Sequence, residues 1–228
     1  MRPVTTTVGP LAAASATNIR TASAIAAGGA IVLNGTLVSA GATVANGVIV
    51  PSGVAVLDTP RRVIFTSSGN DLGITFTTTG TDGVGNPITE VVTGASGGAA
   101  TTVLDYKTFS AVASAAAAGT VSIGTNGVAA SPWVRLDNWS PGGVAIQATV
   151  TGTVNYTVQQ TLDDPNSLTS PVAEASVTWV SSADVAVVAA STTQQSNYNF
   201  APTFARVLLN SGTGTVVATF TQLDGPAR

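Results

Sequence analysis

Polar and apolar residues alternate with a period of two along much of this chain. Such alternation sends successive side chains to opposite faces of an extended segment, so it predicts half-buried β-strands. The alternating segments are short, rich in Val, Ile, Thr and aromatic residues, and bounded by Gly, Asn, Asp or Pro. They are 63–68, 73–80, 87–94, 120–124, 144–152, 154–162, 175–182, 205–212 and 215–223.

Helical periodicity is weak throughout. The alanine-rich segment 111–119, AVASAAAAG, fits a strand or a loop crossing as well as a single helical turn. Turn residues recur about every eight to twelve positions, the spacing of a sandwich or jelly roll. The sequence therefore predicts an all-β protein made of antiparallel β-sandwich or jelly-roll-like units.

Three segments of different composition suggest the domain organisation. Residues 1–58 contain no aromatic residue and are rich in Ala, Gly, Ser and Thr, whose small side chains bury little area. We expect this segment to be an extended N-terminal arm that a partner orders. Residues 59–128 are predicted to form a first β unit and residues 129–228 a C-terminal β-sandwich unit with all three tryptophans, although the two units could share one core.

The charge content is unusually low. Only 8% of the 228 residues are charged, where about 25% is usual. A surface this poor in charge suits a protein that packs against copies of itself or a partner. The net charge is −3, and of the seven arginines only Arg61 and Arg62 are adjacent, so we expect no role in nucleic-acid binding.

The composition also argues against catalysis. The chain has no cysteine and no histidine, which excludes a thiolate nucleophile, a Ser-His-Asp triad and the commonest metal ligands. Eleven acidic residues show no spacing that selects a glycosidase pair. We therefore expect a non-enzymatic protein without a cofactor.

No membrane or export segment is predicted. Residues 21–57 carry no charge, but Gly, Asn, Ser and Pro break every apolar run well short of the about 18 residues that a membrane helix needs. The first ten residues lack the apolar stretch of a secretory signal. The expectation is a soluble chain, made in the cytoplasm.

Two turn-like motifs have alternative chemical interpretations. The segment 77–94, TTTGTDGVGNPITEVVTG, is glycine-rich, but no helix signal follows it, so it predicts a β-hairpin rather than a phosphate-binding loop. The segment 162–167, LDDPNS, could bind Ca²⁺ through Asp163 and Asp164. A turn is favoured, because adjacent Asp side chains diverge and no Asp-x-Asp-x-Asp pattern is present.

The candidate interface residues are tryptophans and arginines. Trp133 and Trp139 flank Arg135, and they suit a core or subunit interface better than a sugar platform. Trp179 alternates in phase with Val177, which predicts a core position. The adjacent arginines could pair with acidic residues across an interface or mark a solvated strand start. The resulting candidates are Arg61, Arg62, Trp133, Arg135 and Trp139.

Two stretches resemble small virion proteins of tailed bacteriophages. The first is RRVIFTSSGNDLGITFTTTGTDGVGNPITEVVTGASGGAATTVLDYKTFSAV, in which a hairpin is followed by a strand with Tyr106-Lys107-Thr108-Phe109. The second comprises VNYTVQQTLDDPNS, ASVTWVSS and FAPTFARVLLNSGTGTVVATFTQ. The resemblance covers roughly residues 60 to 225, and residues 1–58 lie outside it.

The resemblance implies a virion structural protein, most like a head decoration (cement) protein on the capsid exterior. Its partners would be the major capsid protein and copies of itself, as a dimer or trimer. The arm and first β unit are expected to clamp neighbouring capsid subunits by β-augmentation and apolar burial, and the C-terminal unit to self-associate or face outward. The alternatives are a head–tail adaptor or tail component, and a receptor- or glycan-binding tail or fibre module. The last would be favoured by Trp133, Trp139 and Tyr198 on an exposed face.

Overall fold

The computed structural model describes residues 3–39, 43–45, 48–50, 53–137 and 142–222. Regular structure within these ranges is almost entirely β, with two single-turn 3-10 helices at Glu174–Ser176 and Val185–Val187. None of the helices in these ranges is long and apolar enough to cross a membrane. The predicted all-β class is confirmed.

The strands in chain order are β1 (Val4–Val8), β2 (Ser15–Ile25), β3 (Gly29–Ala30), β4 (Thr43–Ala45), β5 (Val48–Val50), β6 (Ala55–Ser67), β7 (Thr75–Thr81), β8 (Pro87–Thr93), β9 (Ala99–Thr101), β10 (Tyr106–Ser114), β11 (Ala118–Ala130), β12 (Val134–Arg135), β13 (Val144–Thr151), β14 (Val154–Thr161), β15 (Val180–Ser181), β16 (Gln194–Tyr198), β17 (Phe204–Gly212) and β18 (Thr215–Gln222).

The chain divides into two compact units. One comprises the described residues up to Ala12 and those from Val128 onward, and we call it the sandwich unit. The other comprises Ala13–Gly127, and we call it the inserted unit. This division differs from the three predicted segments at the N-terminus, because β1 is a strand of the sandwich unit while β2 pairs with β11 in the inserted unit.

The sandwich unit has two antiparallel sheets. One has the order β1-β18-β13-β16; the other contains β15, β14 and β17, with β12 and the end of β11 also paired to β17. Apolar side chains from both sheets form one core. Alternation decides which residues enter it: on β18, Val216, Ala218 and Phe220 are fully buried, as the period of two requires.

The inserted unit is built on the strand order β11-β6-β10-β7-β8. Additional short pairings place β2 on β11, β3 on β10 and β9 on β6. An aromatic cluster lies at its centre, with Phe65 stacked on Phe76 at 5.1 Å and Tyr106 edge-on to Phe109 at 5.1 Å. Such aromatic pairs bury large apolar area in a short chain segment.

One predicted strand is wrong. Residues 175–182 form part of the 3-10 helix Glu174–Ser176 and then the two-residue strand β15. β15 pairs with β14 over only Gln159 and Gln160, so most of the segment has no ladder partner there. The alternating pattern was present, but a strand also needs a neighbouring edge along its whole length.

Candidate interaction surface

The glycine-rich segment is a hairpin, as predicted. β7 and β8 pair antiparallel from Thr75 opposite Thr93 to Thr81 opposite Pro87. The Asp82 carboxylate closes the turn by accepting the backbone N–H of Val84 at 2.9 Å and of Asn86 at 2.8 Å. Gly85 has a φ of +95°, which a residue with a Cβ rarely adopts. The N–H groups of Val84, Gly85 and Asn86 all donate to Asp82 within the turn.

The segment LDDPNS is also a turn, as predicted. The N–H of Ser167 donates to the carbonyl of Asp164 at 3.2 Å. The two carboxylates diverge: Asp163 accepts the N–H of Thr178 at 2.7 Å, whereas Asp164 accepts that of Asn166 at 2.9 Å. Across the described ranges, no group of three or more Asp, Glu, His or Cys residues is arranged to hold a metal ion.

The adjacent arginines have different surroundings, and both lie in the inserted unit. Arg61 is only 1% exposed, and its guanidinium donates to the Asp58 carboxylate at 3.1 Å and to the carbonyl of Asn126. Arg62 is half-buried, with its Nε 4.0 Å from the Asp105 carboxylate. Arg61 is therefore used inside its unit, which corrects its assignment as a surface interface residue.

The tryptophans of the sandwich unit belong to a cluster of aromatic and arginine side chains. Trp133 is half-buried and packs edge-on against Trp179, with ring centroids 4.9 Å apart, and against Phe204 at 5.6 Å. Trp179 is also half-buried, rather than the core residue predicted from its phase with Val177. We call Trp133, Arg135, Trp179, Phe204 and Arg206 the aromatic–arginine cluster.

Strand register places this cluster on the outer face of a sheet. Arg135 on β12 lies opposite Phe204 on β17, and Gln159 on β14 lies opposite Arg206. Phe204 and Arg206 are two residues apart, so they share a face. The residue between them, Ala205, enters the core on the other face. The outer face is thus covered by aromatic rings instead of being left to solvent.

The two arginines of the cluster are held differently. Arg206 is buried, with its guanidinium carbon 4.1 Å from the Trp179 ring centroid and its Nε donating to Gln159 at 3.0 Å. The Arg135 side chain is 57% exposed, lies over Phe204 at 5.2 Å and pairs with the Asp164 carboxylate at 2.8 Å. The bond from Arg135 lowers the pKa of Asp164 from its ordinary value.

Sequence reasoning found Trp133 and Arg135 but missed Phe204 and Arg206. The alternation along the predicted strand 205–212 could have found them. Ala205 and Val207 face the core, so Phe204 and Arg206, which alternate with them, must lie on the opposite face. Trp139 lies outside the described residues. Tyr198 is buried in the sandwich core, where burial raises its pKa, so it is not part of an exposed aromatic face.

Exposed apolar side chains flank the cluster. Val180, which follows Trp179, and Leu162, which follows β14, are both exposed. Leu168 is fully exposed in the loop between β14 and β15. These exposed apolar side chains lie in the stretch of chain that also contains Asp164, the ion-pair partner of Arg135.

One short pattern has the spacing of a serine nucleophile elbow: Gly94-Ala95-Ser96-Gly97-Gly98. An elbow joins a strand to a helix and needs a histidine base. Here the segment joins β8 to β9, Ser96 forms a bridge with Asn70, and the chain has no histidine. The segment lacks both the geometry and the base.

Comparison of the chain with protein-family models, curated proteins and solved structures found no match.

Proposed function

We propose that this chain is a non-enzymatic virion structural protein of a tailed bacteriophage, most like a head decoration protein that binds the major capsid protein lattice. Support comes from the resemblance of residues 60 to 225 and from the distribution of charged and apolar side chains. The observation that carries the proposal is that, among the described residues, three of the seven arginines are buried while ten large apolar side chains are exposed.

Several of the scarce basic groups are bonded inside the protein. Arg20, Arg61 and Arg206 are buried. Arg20 donates to the backbone and side chain of Ser23, and burial lowers its pKa. Lys107, the only lysine, donates to the carbonyls of Leu57 at 2.8 Å and Asp58 at 2.9 Å. Among the described basic residues, Arg135 is the one whose side chain is more than half exposed.

Apolar side chains occupy exposed positions in both units. They include Val32, Leu72, Val84, Val91, Val103, Leu162, Leu168, Val180, Val185 and Phe200. Single exposed apolar residues are common, but this number on a chain with 8% charged residues favours a surface that a partner covers. A decoration protein has such a partner, because it spreads many weak contacts over neighbouring capsid subunits.

The proposed mode of binding does not depend on a free N-terminal arm. β1 is hydrogen-bonded to β18, and β2 to β11, so these segments already have partners. Attachment is proposed to occur through the exposed apolar side chains and, in the sandwich unit, through the surface around the aromatic–arginine cluster.

The test is the copy number of the chain in purified particles of the phage that encodes it, measured by quantitative mass spectrometry against the major capsid protein. A decoration protein should be present at about one copy per capsid subunit or per three subunits, the stoichiometries of a covered lattice. A few copies per hundred capsid subunits, or none, would contradict the proposal. The low ratio would favour the tail alternatives, an adaptor or a receptor-binding module.

A further inference from the structure

β8 is an edge strand of the inserted unit. It spans Pro87–Thr93, and among the described residues it pairs with β7 and with no other strand. An edge strand presents unpaired backbone N–H and C=O groups that another strand can bind. On β8, these are the backbone N–H and C=O groups that do not bond to β7.

The hydrogen-bond register identifies the free groups. At one end of the β7–β8 ladder, the N–H of Asp82 donates to the carbonyl of Asn86 at 2.9 Å; at the other, the N–H of Gly94 donates to the carbonyl of Ile74 at 2.8 Å. Even-numbered residues therefore bond across the hairpin. Because bonding alternates along an antiparallel strand, Thr89, Val91 and Thr93 direct their N–H and C=O groups to the open edge.

The outward-facing side chains of this edge carry no charge. Charged side chains, especially Lys, normally block edge-to-edge pairing. The outward side chains of β8 are Pro87, Thr89, Val91 and Thr93, and Val91 is 59% exposed. Proline, which lacks an N–H, stands only at the first position of the strand.

The single charge of β8 is turned inward. Glu90 is buried, and its carboxylate accepts the N–H groups of Val103 at 2.6 Å and Leu104 at 3.0 Å. It therefore caps a loop of its own unit and leaves the outward residues of β8 uncharged.

We propose that β8 pairs antiparallel with β8 of a second copy of this chain, about a two-fold axis at Val91. In this register Val91 lies opposite the partner's Val91, and Thr89 opposite the partner's Thr93. The three outward residues of each strand then exchange about six backbone hydrogen bonds in total. Threonine and valine are residues that cross-strand pairs favour.

The residues of β8 favour this register, and they favour β8 of a second copy as the partner strand. Outward groups meet when opposing residue numbers have an even sum, as they do for an axis at any residue of the strand. An axis at Thr89 or at Val92 would place one outward residue opposite a residue beyond the ends of β8, which leaves the axes at Glu90 and Val91. An axis at Glu90 would place two Glu90 residues directly opposite each other, which like charges disfavour. It would also oppose Thr93 to Pro87, which has no N–H to donate. The axis at Val91 avoids both, so the strand is complementary to itself. This inference is independent of the proposed function.

The first experiment measures self-association of the full chain by sedimentation velocity over a range of concentrations. We expect a dimer that Val91→Pro weakens at least about tenfold, because the variant removes the two central N–H donors. The N–H of Val91 does not bond to β7, so the hairpin should remain intact, as circular dichroism would check. Leu168→Pro, at a fully exposed loop position outside the hairpin, is the control and should leave the dimer unchanged.

A charge-swap experiment tests the register without proline. Val91→Lys and Val91→Glu should each be largely monomeric, because like charges face each other across the axis. Mixed in equal amounts, the two should form a one-to-one dimer. Val84→Lys and Val84→Glu should behave as wild type, alone and mixed. A monomeric wild type, a dimer that tolerates all the Val91 variants, or a mixture that stays monomeric would overturn the proposal.

Discussion

Arg206 shows how one side chain can stabilise the outer face of a sheet. It is buried against the Trp179 ring, and its Nε donates to Gln159. A guanidinium can satisfy both contacts because it is planar and polar at its rim, whereas an ammonium cannot stack in this way.

We therefore predict that Arg206→Lys lowers the free energy of unfolding by about 1–3 kcal/mol. Arg135→Lys is the control: Arg135 is largely exposed, and its ion pair with Asp164 should contribute no more than about 1 kcal/mol. Urea denaturation of both variants and wild type would measure the difference. Equal losses for the two variants would contradict the distinction between a buried stack and a surface pair.

Glu90 makes stability depend on pH. Burial raises its pKa above the ordinary value of 4.5, although the N–H groups of Val103 and Leu104 and the charge of Arg62 act in the opposite direction. The folded chain thus holds this proton more tightly than the unfolded chain does. The contribution of Glu90 is most favourable below pH 4.5 and is lost as pH rises through the raised pKa.

The prediction concerns the difference in unfolding free energy between wild type and Glu90→Gln. This difference should become less favourable to wild type as pH rises from 4.5 toward neutrality. Urea denaturation of both proteins at several pH values would measure it. Thr89→Ser, a neighbouring change without a titrating group, should instead parallel wild type. A difference that is flat, or that grows with pH, would contradict the raised pKa.

Gly80 sets how closely two strands of the inserted unit approach. It lies on β7 opposite Phe109 of β10, with its missing side chain on the buried face. A Cβ at this position would meet the carbonyl oxygen of Thr108 and lie 2.7 Å from Cδ1 of Tyr106. Backbone and a buried ring cannot both move aside at low cost.

We expect Gly80→Ala to cost about 3 kcal/mol or more, because the ladder between β7 and β10 must open to admit the methyl group. Gly73→Ala is the matched control, since a Cβ there meets nothing within 4 Å. Thermal unfolding of the two variants would compare them. A Gly80→Ala protein as stable as Gly73→Ala would show that the two strands are less closely packed.

At the scale of elements, alternation predicted six strands closely and parts of β6 and β11. β7, β8, β13, β14, β17 and β18 lie within two residues of the predicted bounds. The same signal failed at 175–182, because a sequence pattern does not reveal whether a neighbouring strand is available. It also missed β1, β10 and β16. It missed β2 as well, whose small residues give no clear alternation and whose burial is confined mainly to Ile19, Arg20 and Ile25.

The candidate surface was predictable only in part. Tryptophans and arginines are identifiable as interface residues by type, but which of them meet depends on strand register. Arg61 and Arg206 are equivalent as residue types, yet one bonds to Asp58 within the inserted unit and the other stacks on Trp179 in the sandwich unit. Register arises from pairings between residues far apart in sequence, which local patterns do not determine.

The whole molecule is assembled from segments distant in sequence. β1 lies at the edge of the sandwich unit, paired with β18 from Val4 opposite Phe220 to Val8 opposite Val216. The inserted unit separates β1 in sequence from the rest of its sheet. Val8 and Leu11 are buried in the sandwich core. Residues Val4–Val8 are therefore a structural strand, whereas an arm would serve only to bind a partner.

These two roles make different predictions for the isolated chain. If residues 1–12 form a structural strand, deleting them removes two core side chains and exposes the edge of β18. We expect faster hydrogen–deuterium exchange in peptides covering β18, while peptides covering β7 and β8 keep their protection.

Val8→Ala should lower the unfolding free energy by about 1–3 kcal/mol, and Thr7→Ala, at an exposed position on the same strand, by less than about 0.5 kcal/mol. Unchanged exchange at β18, together with an unchanged unfolding free energy for Val8→Ala, would instead indicate that the segment is an arm that binds a partner. The deletion would then be expected to abolish particle binding without lowering stability.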